Sequence, residues 1–207
     1  MAQRLRYIKE TPSQTAGPYV HIGLAPAVAG LETQAPELGR EIAGPGTGGE
    51  RIRIEGTVFD ANGAAIRDAV LEVWQADAEG RYAHPEDPRA GEVAPDFRGW
   101  GRVVPDLGDG LFAFETVKPG RVPEGDGRAQ APHLNLWLVA RGINIGLATR
   151  MYFADEEAAN AVDPVLERVE PHRRETLIAR RKSAGPPALW RFDIHLGGSA
   201  ETPFLDV

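Results

Sequence analysis

The chain has 207 residues, with 30 Asp and Glu against 23 Lys and Arg, for a formal net charge of -7. That balance excludes the basic surface a nucleic-acid binder needs to displace counterions, and the absence of cysteine excludes disulfides, thiolate metal sites and cysteine nucleophiles. No stretch approaches the roughly 20 apolar residues of a membrane helix, and the first dozen residues lack an apolar signal core. The expectation is a soluble, cytoplasmic protein forming a single domain over 1–207.

Residues 1–50 read as an N-terminal arm and linker. Pro12 to Tyr19 carries too much turn chemistry for a helix, and Gly44-Pro45-Gly46-Thr47-Gly48-Gly49 lacks the Gly-Lys-Ser/Thr ending of a phosphate loop. The core is expected over 51–207. Residues 51–59 alternate, with Ile52, Ile54 and Val58 on one side, and Asp60-Ala61-Asn62-Gly63 reads as a hairpin turn. A second strand is expected over 69–76. Residues 99–104 and 111–117 are expected to pair through Asp109-Gly110. Residues 130–141 alternate again, Leu134, Leu136, Leu138 and Ala140 opposing His133, Asn135, Trp137 and Arg141. Further strands are expected over 149–153 and 189–196, and helices over 155–161 and 170–182, where good helix formers cluster and bases gather late. Short strands, frequent turns (24 Gly, 17 Pro) and a small helical insertion in the C-terminal third predict a mainly β protein, a β-sandwich with an extended N-terminal arm.

Five histidines (21, 84, 133, 172 and 195) form no His-Glu-x-x-His, and no Gly-x-Ser-x-Gly elbow is present. Of these, only His133 has a sequence context that points to chemistry: a His-x-His pair on such a strand would aim two imidazoles at one metal, and here the second is Asn135. Tyr82, taken alone, reads as a loop aromatic over the core.

Five separated motifs run in order: Glu72-Val73-Trp74-Gln75-Ala76, Gly80-Arg81-Tyr82, Thr116-Val117-Lys118-Pro119-Gly120, Pro132-His133-Leu134-Asn135 and Arg191-Phe192-Asp193-Ile194. Together they resemble the intradiol ring-cleavage dioxygenases, from about residue 11 to the C-terminus. Ser13 to Tyr19 and Ala140-Arg141-Gly142-Ile143-Asn144 resemble the alpha rather than the beta subunit of the two-chain members. In catalytic members of that family ferric iron is held by two Tyr and two His. Those positions fall here on Tyr82, Val122, His133 and Asn135, and an Arg that precedes the His motif by three falls on Gln130.

The resemblance therefore implies no metal ligand set and no catalytic residue in this chain. It implies Fe(III) bound by a partner beta subunit, in a hetero-oligomer of alpha-beta pairs acting on 3,4-dihydroxybenzoate (protocatechuate). The ring would be cleaved between its hydroxyl-bearing carbons by O2, giving 3-carboxy-cis,cis-muconate. Thr15, Gly17, Pro18 and Arg141 are the substrate-side positions it implies, with Arg141 facing the substrate carboxylate. Two other readings remain: a self-sufficient dioxygenase using other ligands, against which Val122 and Asn135 count, and a transthyretin-like structural or small-ligand-binding sandwich with no dioxygenase partner.

Overall fold

The alternation of residues 51–59 becomes strand β1 (Arg51–Phe59), which buries Ile52, Ile54 and Val58 and leaves Arg51, Arg53 and Glu55 partly exposed. A computed structural model of the chain describes residues 17–32, 38–125 and 127–206. After β1 come β2 (Val70–Gln75), β3 (Trp100–Val103), β4 (Leu111–Val117), the short β5 (Val122–Pro123) and β6 (Ala129–Gln130), and then β7 (His133–Val139). The chain ends through β8 (Leu147–Phe153), β9 (Ile178–Ser183), β10 (Ala188–Arg191) and β11 (Ile194–His195).

One sheet runs β11-β1-β10-β9-β8-β7-β2-β3, with β4 on the other side of β1, and β5-β6 form a separate ribbon. It is nearly closed. β9 is antiparallel to β10 but meets β8 in parallel over only two pairs, Tyr152↔Ile178 and Phe153↔Ala179. The sheet folds over at that seam, so β4, β1, β10 and β11 face β8, β7, β2 and β3. Ile52, Ile54, Phe112 and Trp190 from one layer share a core with Leu71, Val73, Leu134, Leu136 and Met151 from the other. Phe153 and Trp190 meet edge to face across the seam at 5.0 Å. The expected mainly β sandwich is the architecture found.

Several local expectations change. The turn at Asp60 forms, with Gly63 at φ 81 and the Asp60 carboxylate taking the Asn62 and Ala64 N–H groups, but β2 leaves for the other layer and only one bridge, Phe59↔Ala65, closes the hairpin. β3 and β4 do not pair with each other; β3 lies on β2 and β4 on β1. The helix expected over 170–182 is a 3-10 turn (Arg174–Leu177) followed by β9. Helix propensities differ by tenths of a kcal/mol per residue, and the gap between β8 and β10 offers Ile178 and Ala179 a ladder on β8 and residues 180–183 one on β10, while Arg180, Arg181 and Lys182 stay in solvent. The helix expected over 155–161 shortens to α2 (Glu157–Asn160), preceding a 3-10 turn (Leu166–Arg168).

In the N-terminal region a 3-10 turn (Gly17–Tyr19) runs into α1 (Val20–Leu24), tied to β3 by Arg102 Nη1 donating to Leu24 O at 2.8 Å. The glycine-rich stretch is pinned to the core, with Gly46 N and Thr47 Oγ1 both donating to the Asp96 carboxylate. No helix among the described residues is long and apolar enough to cross a membrane.

Candidate functional site

Strand β2 ends on a buried amide. Gln75 Nε2 donates to Ala76 O and Val117 O, and Gln75 Oε1 accepts from Thr116 Oγ1 at 2.8 Å, which fastens the end of β2 to the end of β4. Beyond it the Asp77 carboxylate takes the Glu79 and Arg81 N–H groups and Arg81 Nε, while Asp77 O takes the N–H of both Gly80 and Gly120. Gly80 has φ 75, and a Cβ there would stand 1.9 Å from Arg121 O. The Gly80-Arg81 and Pro119-Gly120 turns therefore touch backbone to backbone. The outcome is the placement of Tyr82, whose N–H donates to Asp87 Oδ2 and whose ring stacks on Trp74 at 5.6 Å and 7°. Burial works against the charge on Asp87, but the Tyr82 and Arg89 N–H groups and the Arg89 guanidinium hold its carboxyl below the usual range.

Strand β7 supplies the facing wall. His133, only 1 % exposed, donates from Nδ1 to Ala131 O at 2.7 Å, so Nε2 carries the lone pair; it is buried and has no partner among the described residues. Burial, aided by the Arg150 guanidinium, pushes this imidazole down to about 4, against the Ala131 carbonyl and Asp163, and it is neutral at pH 7. Asn135, two residues on and on the same face, turns its Nδ2 toward Trp74 O at 3.3 Å and, at a long 3.5 Å, toward the Tyr82 hydroxyl. Val122 on β5 pairs with Gln130 on β6 and lines, with Trp74 and Tyr82, a cavity of about 400 Å³. Burial raises the Tyr82 phenol, with Asn135 and Arg150 opposing.

The structure thus brings Tyr82, Val122, Gln130, His133 and Asn135 into one neighbourhood: Tyr82 and Val122 line that cavity, Gln130 pairs with Val122, and Asn135 reaches the Tyr82 hydroxyl while bordering a second cavity that shares Trp74. It also brings in three residues the sequence reading did not single out. Arg150, opposite Asn135 in the β7–β8 register, donates from Nη1 to Gln130 Oε1 at 2.7 Å and to the Tyr152 hydroxyl at 3.4 Å. That hydroxyl donates to Asp163 Oδ1 at 3.1 Å, and burial raises its phenol strongly. Only strand parity hinted at Arg150 and Tyr152, and nothing local marked Asp163.

Of the substrate-side positions, Arg141 stands in the turn after β7, its side chain 62 % exposed, with Nε donating to Asp68 Oδ2 at 2.9 Å and one terminal nitrogen bound to the same oxygen. Gly17 opens the 3-10 turn at φ 59, a conformation a side chain would strain, and Pro18 follows it in that turn. Thr15 lies outside the described residues.

A folded-over β sheet carrying this wall of Tyr, His and Pro-Gly turns defines a class. The chain matches the Dioxygenase family model over residues 25–198 and belongs to the intradiol dioxygenase family. Within it, the chain is 48% identical over 203 residues to the protocatechuate 3,4-dioxygenase alpha chain of Pseudomonas putida, covering 98% of each. It is 36% identical over 161 residues to the beta chain of that enzyme from Burkholderia cepacia, covering 75% of this chain and 68% of that one. Its fold superposes on the dioxygenase domain of a dioxygenase carbohydrate-binding protein fusion from Streptomyces sp. SirexAA-E with a TM-score of 0.59 at 25% identity, over 92% of this chain and 100% of that one.

The family is iron-dependent in general, and the residues of this pocket do not fit the ion. Val122 has no donor atom. Asn135 presents its N–H end to the pocket rather than its carbonyl. Tyr82 and His133 Nε2 leave one anionic donor and one neutral donor for a trivalent ion that favours hard anionic ligands, and a guanidinium already stands beside them.

Proposed function

We propose that this chain is the alpha-type, non-iron-bearing partner in a protocatechuate 3,4-dioxygenase, assembled in pairs with a beta-type chain that carries Fe(III). The complex cleaves 3,4-dihydroxybenzoate between its hydroxyl-bearing carbons with O2, giving 3-carboxy-cis,cis-muconate. The observation that carries the reading is the donor set, in which Val122 offers no donor atom and Asn135, with Arg150 opposite it, turns its N–H end toward Tyr82. Likeness to an alpha chain along almost the full length supports it, and family membership removes the case for a transthyretin-like module without a dioxygenase partner.

In this reading the chain contributes to substrate binding rather than to chemistry. Arg141 is the recognition element. A guanidinium has five N–H donors, and with two nitrogens steadied by Asp68 the rest of the exposed fork is oriented for a second carboxylate, the group that separates protocatechuate from catechol. Gly17, Pro18 and Thr15 are the other positions that the likeness to alpha chains assigns to the substrate side. The fold has no membrane helix among its described residues, in keeping with a cytoplasmic catabolic enzyme.

The test is to purify the chain alone and together with its beta-type partner, then measure iron and ring cleavage in both. The pair should hold iron and turn protocatechuate over, and the chain alone should hold no stoichiometric iron. Ferric iron with turnover in the isolated chain would end the proposal.

A further inference from the structure

The pocket that lacks a metal set is not electrically empty. Arg150 projects from β8 on the same face of the sheet as Asn135, and its partners extend in both directions. Gln130, which accepts from it, donates to Glu124 Oε1 at 3.0 Å; Tyr152, its other partner, donates to the buried Asp163. The Asp163 carboxylate is held by three backbone N–H groups, those of Ala131, Val165 and Leu166. A continuous line of hydrogen bonds, Glu124-Gln130-Arg150-Tyr152-Asp163, therefore runs behind Asn135 and His133 from the β5-β6 ribbon to the loop after α2. It fixes a unit positive charge at its middle. The field of that charge reaches both side chains that remain of the ligand pattern, favouring the anion at Tyr82 and disfavouring the cation at His133.

We infer that Arg150 is the resident cation beside Tyr82, His133 and Asn135, and that its guanidinium excludes a metal ion from between them even where the missing donors are supplied. The inference rests on the reading that this chain carries no iron, and deepens it. Loss of Val122 and Asn135 as donors removes attraction; Arg150 adds repulsion, which against a trivalent ion is three times that between unit charges at the same distance. A neutral side chain of similar reach ends the repulsion. Gln at 150 can still donate to Gln130 Oε1 and meet the Tyr152 hydroxyl.

The experiment restores the donors with and without the cation, in the full chain and again in its complex with the beta-type partner. Val122→Tyr with Asn135→His is compared with the same pair carrying Arg150→Gln, Arg150→Leu or Arg150→Lys. Each protein is checked for a cooperative melt, so that at least one neutral variant serves if the other does not fold. Ferric iron is titrated in, and metal content and the tyrosinate-to-iron absorption band are read; in the complex, iron above that of the wild-type complex is counted. The neutral variants should bind iron at least about ten-fold more tightly than the Arg150 and Arg150→Lys proteins. Equal binding across the series, whether all filled or all empty, overturns the inference. Iron in the wild-type chain overturns the underlying reading instead, so the two failures are separable.

Discussion

His133 makes the pocket sensitive to acid in a way that can be worked out beforehand. Its imidazole has an ordinary value near 6.5 in the unfolded chain and about 4 in the folded one, because burial and the Arg150 guanidinium both disfavour the cation. The folded state holds the neutral form, so between those two values the unfolded chain binds more protons and stability falls as pH falls. The contribution is complete above about pH 6.5 and lost progressively down to about pH 4. A gap of this size corresponds to about 3 kcal/mol at its limit, and at pH 5 to about 2 kcal/mol. His133→Gln removes the titrating group while keeping a polar side chain beside Ala131 O. Urea unfolding of both proteins at pH 7 and pH 5 isolates the effect, since the carboxylates and the other four histidines are common to the two. The wild type should lose about 2 kcal/mol more than the variant over that interval. Parallel losses, or a His133 ring resonance that titrates near 6.5 in the folded protein, would refute the burial assigned to it.

Other consequences are as direct. Arg141→Ala, assembled with an iron-bearing partner, should lower kcat/KM for protocatechuate about ten-fold or more, since a hydrogen bond to a charged group contributes about 1.5–3 kcal/mol; steady-state kinetics unchanged from wild type would remove Arg141 from the substrate side. Gly80→Ala brings a methyl to 1.9 Å from Arg121 O at a positive φ, and should cost about 2 kcal/mol or more in thermal or urea unfolding. A loss below about 0.5 kcal/mol would mean that the two turns do not touch. Asp163→Ala leaves the buried Ala131 and Leu166 N–H groups without a partner and removes the acceptor of the Val165 N–H and the Tyr152 hydroxyl, so a loss of about 3 kcal/mol or more is expected, and a near-neutral result would contradict the buried network.

The strands legible in the sequence were those whose two faces differ. β1 and β7 carry Ile or Leu on one parity, opposed by Arg51, Arg53 and Glu55 in β1 and by His133 and Asn135 in β7, so a period of two declares both the strand and its core face. Residues 170–182 misled because their side chains suit a helix, and only the open ladder between β8 and β10, made by residues elsewhere in the chain, selects a strand. The same holds for pairing: β3 and β4 adjoin in sequence, yet each finds its partner in a different layer. In the pocket, His133 and Asn135 were visible through their place on an alternating strand, and Tyr82 only through the family resemblance. Arg150 was not, because its place depends on the register that sets it opposite Asn135, and Asp163 was not, because its role is to receive backbone N–H groups whose directions no local pattern reveals.

Shared motifs and a misfitting metal pocket are compatible because the motifs are held by contacts that involve no ion. Gln75 and Thr116 lock two strand ends, Asp77 gathers the Gly80 and Gly120 turns, and Asp87 takes the Tyr82 N–H, so the wall stands whichever side chain fills position 122 or 135. Tyr82 is itself secured by its stack on Trp74. Placement of the wall and possession of ligands are thus physically separate properties of this fold. Only the second requires donors of the right charge, and there Arg150 supplies the opposite of what an iron site needs. Arg141 lies outside that conflict, exposed in the turn after β7 and paired with Asp68, so its proposed substrate-side role does not depend on which donors the pocket retains.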